Sequence, residues 1–346
     1  MSSAEIGSVG SGTGTTGRSW LRRLLLSEYL VLTLTILYVL LLAPIVPQIL
    51  TLDTAADVLG AMMPLLIVAT GQAFVLIVAG IDLSATSNLA ISSVLAAAVM
   101  TLDGGPLAGA PAWLAIACGI ATFAAVGSAI GALNGTCVTR FNMPPFIVTL
   151  TTMMFFSGLA IWITTLLTDD GSSIGNLPQG FAFLGQGRVL GVPFSVLIAA
   201  LVCVTAHIVL SRTLFGRWLF AIGVNPRAAL VSGVPVGRVV FFAYVICGLC
   251  AGLAAIVYTA RLETGTPVLG QRILLDVVGA AVIGGVSLFG GKGKVLWVVF
   301  GALFLTVVDK GLSLLGLQLA SVFAIKGAVI LAAAVIDAQR QRLVRA

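Results

Sequence analysis

The sequence predicts an all-α integral membrane protein with about ten transmembrane helices and both termini in the cytosol. Of the 346 residues, 59% are hydrophobic and only 9% are charged, whereas about a quarter of the residues in a soluble domain are charged. Long apolar segments follow one another along the chain. A helix needs about 20 apolar residues to cross a bilayer, and barrel strands would alternate instead, so the segments favour helices over a barrel.

The chain divides into an N-terminal tail and one transmembrane domain. Residues 1–27 are predicted to form a disordered cytosolic tail, because Gly, Ser and Thr dominate its first part. Residues 28–340 are predicted to form a single transmembrane domain. Its ten predicted spans are 28–47, 58–80, 84–102, 112–135, 144–167, 192–211, 238–260, 272–289, 294–313 and 319–337.

The distribution of basic residues predicts the orientation. With the N-terminus inside, 13 of the 18 Lys and Arg residues fall on the cytosolic side, and most acidic residues between spans fall outside. Basic residues that flank spans orient membrane proteins, so we interpret the net charge of +6 in this way and not as a nucleic-acid surface.

The stretch "GGVSLFGGKG", Gly284–Gly293, resembles a phosphate-binding loop only superficially. A P-loop needs a glycine five residues before its Gly-Lys pair and Ser or Thr after the lysine. Val286 and Gly293 occupy those positions relative to Lys292. We therefore interpret the stretch as a charged cytosolic turn between spans eight and nine.

The sequence offers no catalytic or metal-binding constellation. The five cysteines lie in apolar runs, and His207 is the single histidine. A redox pair, a zinc site and an intramembrane enzyme are therefore disfavoured, and no catalytic residue is assigned.

The one substantial cytosolic segment is 212–237. Within it Asn225 is a suitable helix N-cap, Pro226 a suitable first residue, and Gly233 a suitable residue after the end. A helix this short is unstable alone in water, so it needs a surface to lie on, either the membrane surface, the protein's own spans or a groove in a partner. We predict that its small apolar side chains Ala228, Ala229 and Val231 are exposed for docking.

Four motifs together resemble the permease subunit of bacterial ABC importers for monosaccharides of the ribose, xylose and galactose type. They are "GIDLS" (80–84), "NMPPFIVTL" (142–150), "FGRWLFAIGVNPRAALVSGV" (215–234) and "AAVIGGVSLFGGKG" (280–293). The resemblance covers roughly residues 28–340. It departs from the family pattern where Thr86 and Thr151 occupy positions at which the family often has glycine.

The resemblance implies a non-catalytic transport subunit in the bacterial inner membrane. It implies a second permease, identical or different, cytosolic ATPase subunits, and a periplasmic sugar-binding protein as partners. No cofactor is implied in this chain, since ATP and Mg would bind the ATPase. The short helix of segment 212–237 would couple the permease to the ATPase through Asn225, Pro226, Arg227, Ala228, Ala229, Ser232 and Gly233.

Polar residues in or beside the spans are candidates for the substrate pathway, because a sugar needs hydrogen-bonding groups in a wet cavity. The candidates are Asp82, Ser84, Asn88, Asn134, Asn142, Thr149, Thr151 and Thr152. For the hydroxyl residues, hydrogen bonds to their own helix are the favoured alternative. For Asp82 the favoured alternative is capping of the third span.

Two charges inside the last spans are predicted to pair. Asp309 and Lys326 lie at similar depths if each residue rises 1.5 Å along a helix, and a pair would avoid two isolated charges. We interpret them as a structural ion pair and not as a proton relay.

Two other transporter functions stay open. One is an ABC permease for branched-chain amino acids or nucleosides, and the other is an ion-coupled secondary transporter. The single histidine and the few embedded carboxylates disfavour the second.

Overall fold

The computed structural model describes residues 29–168 and 171–345, so the predicted tail 1–27 lies outside the described residues. Thirteen α-helices form in this part of the chain. They are α1 Leu30–Leu42, α2 Leu52–Ile77, α3 Ala85–Met100, α4 Ala112–Arg140, α5 Pro145–Leu167, α6 Gln179–Gln186, α7 Phe194–Arg212, α8 Leu214–Val224, α9 Pro226–Val231, α10 Val236–Leu262, α11 Leu274–Gly284, α12 Val295–Leu314 and α13 Leu319–Arg345.

Each of the ten predicted spans coincides with a helix, which confirms the all-α class. Six helices are long and apolar enough to cross a membrane, namely α2, α4, α5, α7, α10 and α12. The apolar helices α3 and α11 are shorter, with 16 and 11 residues. The predicted boundary of the eighth span at residue 289 is wrong, because Gly285 adopts a φ of +120° directly after α11.

The connections contain short elements that span prediction did not find. Between α5 and α7, helix α6 is followed by a two-stranded antiparallel hairpin, β1 Arg188–Val189 and β2 Val192–Pro193. Leu190 lies fully exposed at the tip of this hairpin. A single 3₁₀ turn, Pro47–Leu50, joins α1 to α2.

Helices α2 and α10 form the centre of the helical bundle. Helix α10 packs against α4, α2, α3 and α6, and α2 also packs against α12, α7 and α11. In α2, 89% of the most apolar window is buried, against 17% in α5. Helix α2 is therefore enclosed by protein, whereas α5 lies at the periphery of the bundle.

Helices α4 and α10 approach each other backbone to backbone. Gly127 and Gly131 on α4 lie against Gly248 and Gly252 on α10, so that an added Cβ at any of the four would collide with backbone atoms of the opposite helix. Both pairs have the small-x-x-x-small spacing that brings membrane helices close together. Asn88 of α3 fixes the pair, because its Nδ2 donates to the carbonyls of Gly127 and Gly248, both at 3.2 Å.

We expect Gly131→Leu to prevent folding. A Cβ at this position would overlap the Tyr244 carbonyl of α10, so the two helices would have to separate. Overpacking an ordinary core costs about 1–3 kcal/mol, and contact with backbone leaves less room for adjustment. The measurement is the yield of monodisperse protein extracted from membranes.

Gly158→Leu is the matched control, because Gly158 also lies in a helix and an added Cβ there meets no atom within 4 Å. Equal yields for the two variants would show that the glycine contact does not stabilise the fold.

Candidate functional site

The segment between α7 and α10 folds into two consecutive helices, α8 and α9. Asn225 caps α9, since its Oδ1 accepts hydrogen bonds from the backbone N–H groups of Arg227 and Ala228, both at 3.1 Å. The helix has six residues and is followed by Gly233 in the left-handed region, with a φ of +81°. The predicted start and end of this short helix are thus confirmed.

The two sides of α9 differ in their exposure. Val231 and Leu230 are 89% and 63% exposed, and Ala228 is also exposed. Ala229, predicted to be exposed, is only 5% exposed, because the short helix lies on the protein's own helices. That prediction was wrong, and the apolar surface available for docking is formed by Leu230 and Val231.

Helix α8 joins this short helix to the centre of the bundle. A side chain at Gly223 would collide with the Ile77 carbonyl at the end of α2 and with the backbone of Gly291. The Gly291 N–H donates to the same Ile77 carbonyl at 2.9 Å. The glycine-rich stretch Gly284–Gly293 is thus a turn that packs α8 against the end of α2.

A buried polar cluster lies where α2, α3 and α4 meet. The Asp82 Oδ1 accepts from the Ser84 hydroxyl at 2.6 Å and from the Ser84 N–H at 2.9 Å. The Asn134 Nδ2 donates to the Ser84 Oγ at 2.7 Å. With its Nε2 facing the Asp82 carbonyl, Gln72 makes two hydrogen bonds of 3.1 Å to the Asp82 backbone.

Asp82 does not cap α3, contrary to the favoured interpretation. Residue Ser84 occupies the N-cap position, and the carboxylate binds Ser84 instead of a helical N–H. Asp82 therefore stabilises the turn that leads into α3.

The other predicted pathway residues fall into three environments. Asn88 and Thr149 are buried, and Thr149 donates to the Ile81 carbonyl at 3.2 Å. Thr151 and Thr152 donate to carbonyls of their own helix. Asn142 is exposed in the turn between α4 and α5, with a φ of +51°, a conformation that asparagine tolerates.

A pocket of about 300 Å³ opens between α3, α5 and the segment before α11. Its polar lining comes from Thr86, Ser87, Ser157 and Gln271. Among these, the sequence drew attention only to Thr86, as a departure from the family pattern. Hydroxyl residues in otherwise apolar spans were the available signal for Ser87 and Ser157.

A second pocket, which we call the charged pocket, has a volume of about 630 Å³ and lies at the opposite end of α2 from Ile77. Its lining includes five charged side chains and one tyrosine, namely Asp57, Arg261, Asp276, Asp309, Lys310 and Tyr258. Lys326 lies behind this lining, with Nζ at 2.8 Å from Asp309 Oδ2 and 2.7 Å from Asp276 Oδ2. The structure thus brings the predicted partners Asp309 and Lys326 together and adds Asp276, which sequence reasoning missed.

Comparison with known proteins identifies relatives over nearly the whole chain. A family model described as "Branched-chain amino acid transport system / permease component" matches residues 54–334. The ribose import permease protein of Escherichia coli (strain K12) is 32% identical over 330 residues, which cover 94% of this chain and 98% of that protein. The ribose import permease protein of Bacillus subtilis (strain 168) is 37% identical over 276 residues, which cover 79% of this chain and 81% of that protein.

The galactose/methyl galactoside import permease protein of Escherichia coli (strain K12) is 33% identical over 298 residues, covering 84% of this chain and 88% of that protein. No solved structure matches the chain. The family match covers most of the bundle, including α8, α9 and the glycine-rich turn. The chain is therefore a multi-pass membrane protein that belongs to the transport-system permease family whose model it matches, and it is similar to ribose and galactose import permeases over most of its length.

Proposed function

We propose that the chain is the transmembrane permease subunit of an ATP-driven bacterial importer for a monosaccharide. The observation that carries the proposal is the similarity to ribose and galactose import permeases along almost the full length of the chain. Branched-chain amino acids and nucleosides remain the runner-up substrates, and the description of the family model names the first of them. The relatives reported above are import permeases for sugars, which favours a monosaccharide.

The proposed importer contains a second permease, cytosolic ATPase subunits and a periplasmic sugar-binding protein in the bacterial inner membrane. ATP and Mg would bind the ATPase and not this chain. The exposed apolar side of α9 supports contact with an ATPase, and its link through Gly223 to Ile77 supports transmission of movement to α2. The pocket beside Ser87 and Ser157 supports a sugar pathway along α3 and α5.

The function is tested by uptake in cells that express the chain together with candidate cytosolic ATPase and periplasmic sugar-binding subunits. Labelled D-ribose, D-allose and D-galactose are compared with leucine and uridine. We expect uptake of one sugar, and its loss when the catalytic glutamate of the ATPase is replaced. Uptake that persists without ATPase activity but stops when the ion gradient collapses would identify a secondary transporter instead.

We also expect α9 to face the cytosol and the β1–β2 hairpin to face the outside. Leu190→Cys and Val231→Cys are suitable probes, because both side chains are exposed. On a background without the five native cysteines, a membrane-impermeant maleimide should label Leu190→Cys in spheroplasts and Val231→Cys only after lysis. Labelling of both positions in intact spheroplasts would contradict the proposed orientation.

A further inference from the structure

The charged pocket holds more polar groups than packing of the helices requires. Four helices, α2, α10, α11 and α12, contribute its charged lining. With Lys326 behind the lining, the carboxylates of Asp57, Asp276 and Asp309 are balanced by three cationic groups, so the pocket region has no formal net charge. Its volume of about 630 Å³ lies within the range of about 300–1,000 Å³ that is usual for small-molecule sites.

The ion pairs leave acceptor atoms available. Lys310 Nζ lies 2.7 Å from Asp57 Oδ2, and Lys326 binds Oδ2 of both other carboxylates. Among the residues whose side chains the structure describes, no hydrogen bond reaches the Oδ1 atom of Asp57, Asp276 or Asp309. A carboxylate can accept several hydrogen bonds, so each of the three can bind a hydroxyl group and keep its hydrogen bond to lysine.

Donor groups are available on the same lining. The Arg261 guanidinium and the Tyr258 hydroxyl both contribute to the pocket, and neither makes a side-chain hydrogen bond within the described part of the chain. A sugar hydroxyl both donates and accepts, so it is best bound where carboxylate oxygens and guanidinium N–H groups lie together. An anionic ligand could pair with Arg261 but would meet the three carboxylates beside it, and a cationic ligand would meet Arg261 and the two lysines.

We propose that the charged pocket is a binding site for a neutral monosaccharide. In this site the carboxylate Oδ1 atoms accept hydrogen bonds from sugar hydroxyls, while Arg261 and Tyr258 donate to the sugar. The proposal rests on the proposed function, since it takes a sugar as the transported substrate. It adds a binding site that shares no lining residue with the α3–α5 pocket, although α11 contributes to both, Asp276 to the charged pocket and Leu274 to the other.

The test uses the purified full chain in lipid nanodiscs and measures sugar binding by saturation-transfer NMR. The probes are D-ribose, D-allose and D-galactose. We expect Arg261→Gln and Tyr258→Phe to weaken binding by at least about tenfold, the effect of losing one good hydrogen bond to the ligand. Arg140→Gln is the matched control, because Arg140 is exposed at the end of α4 and does not contribute to the pocket.

Tyr258→Phe removes a single oxygen atom, so it keeps the test decisive if Arg261→Gln fails to fold. Wild-type affinity in Tyr258→Phe, or no binding of any probe to the wild type, would overturn the pocket assignment. If the complete importer takes up a sugar although the purified chain gives either of these two results, the pocket assignment fails and the proposed function stands. Failure of all sugar uptake, with binding retained in nanodiscs, would instead contradict the function and support the pocket.

Discussion

Replacing Val231 with Glu is expected to reduce uptake by at least about tenfold while leaving the permease folded. The Val231 side chain is 89% exposed, so a carboxylate at this position reaches water in the isolated chain. In the proposed importer the same position would lie against the ATPase, where an unpaired charge is costly to bury. The measurements are sugar uptake and co-purification of the ATPase at equal permease yield.

Two further substitutions in α9 separate docking from folding. Val231→Leu preserves an apolar surface and should retain both uptake and ATPase binding. Ala229→Glu places the charge at a buried position and should reduce the yield of folded protein itself. Normal uptake and normal ATPase co-purification in Val231→Glu would refute the docking role of this surface.

Lys326→Met is expected to cause a large loss of folded protein. Lys326 is 4% exposed and binds Asp276 and Asp309 at 2.7 and 2.8 Å. Removing the ammonium group would leave two neighbouring carboxylates without a counter-charge, and breaking a buried pair costs about 3–5 kcal/mol. The extracted yield and the apparent melting temperature of the purified variant measure the effect.

The matched control is Lys310→Met. Lys310 pairs with Asp57, whose side chain is 65% exposed, and exposed pairs contribute only about 0–1 kcal/mol. Asp309→Asn should be milder than Lys326→Met, since it leaves Lys326 paired with Asp276. Equal stability of Lys326→Met and Lys310→Met would exclude a structural role for the buried cluster.

Asp276, the third member of this cluster, changes the result expected from exchanging Asp309 and Lys326. For two isolated partners, exchanging Asp309 and Lys326 should preserve the interaction. Here the exchange would place a carboxylate at position 326, against Asp276, and like charges in contact destabilise each other. We therefore expect the exchanged variant to remain poorly folded.

Segment hydrophobicity was sufficient to predict the ten helices that coincide with the predicted spans, because a helix that crosses a bilayer must satisfy all its backbone hydrogen bonds internally. Capping residues were sufficient to predict the start of α9 at Asn225 and its end before Gly233, since these interactions are local. The apolar composition of the last predicted span, 319–337, also indicated that Lys326 needs a partner of opposite charge.

The remaining features depend on which helices become neighbours, and the sequence does not encode this locally. Asp276 lies 50 residues before Lys326 and joins it only because α11 packs beside α13. Ala229 and the exposed Ala228 are adjacent and chemically identical, so only tertiary packing distinguishes them. The charged pocket likewise combines residues from the ends of four helices that are distant in the chain.

The contact between α4 and α10 has a mechanical consequence. Where glycine backbones touch, no layer of side chains exists that could change rotamers and let one helix slide along the other. Asn88 reinforces this, since a shift between Gly127 and Gly248 would break at least one of its two hydrogen bonds. We therefore expect α4 and α10 to move together as one rigid unit. Any conformational change of the protein would then rotate other helices about this pair instead of sliding α4 along α10.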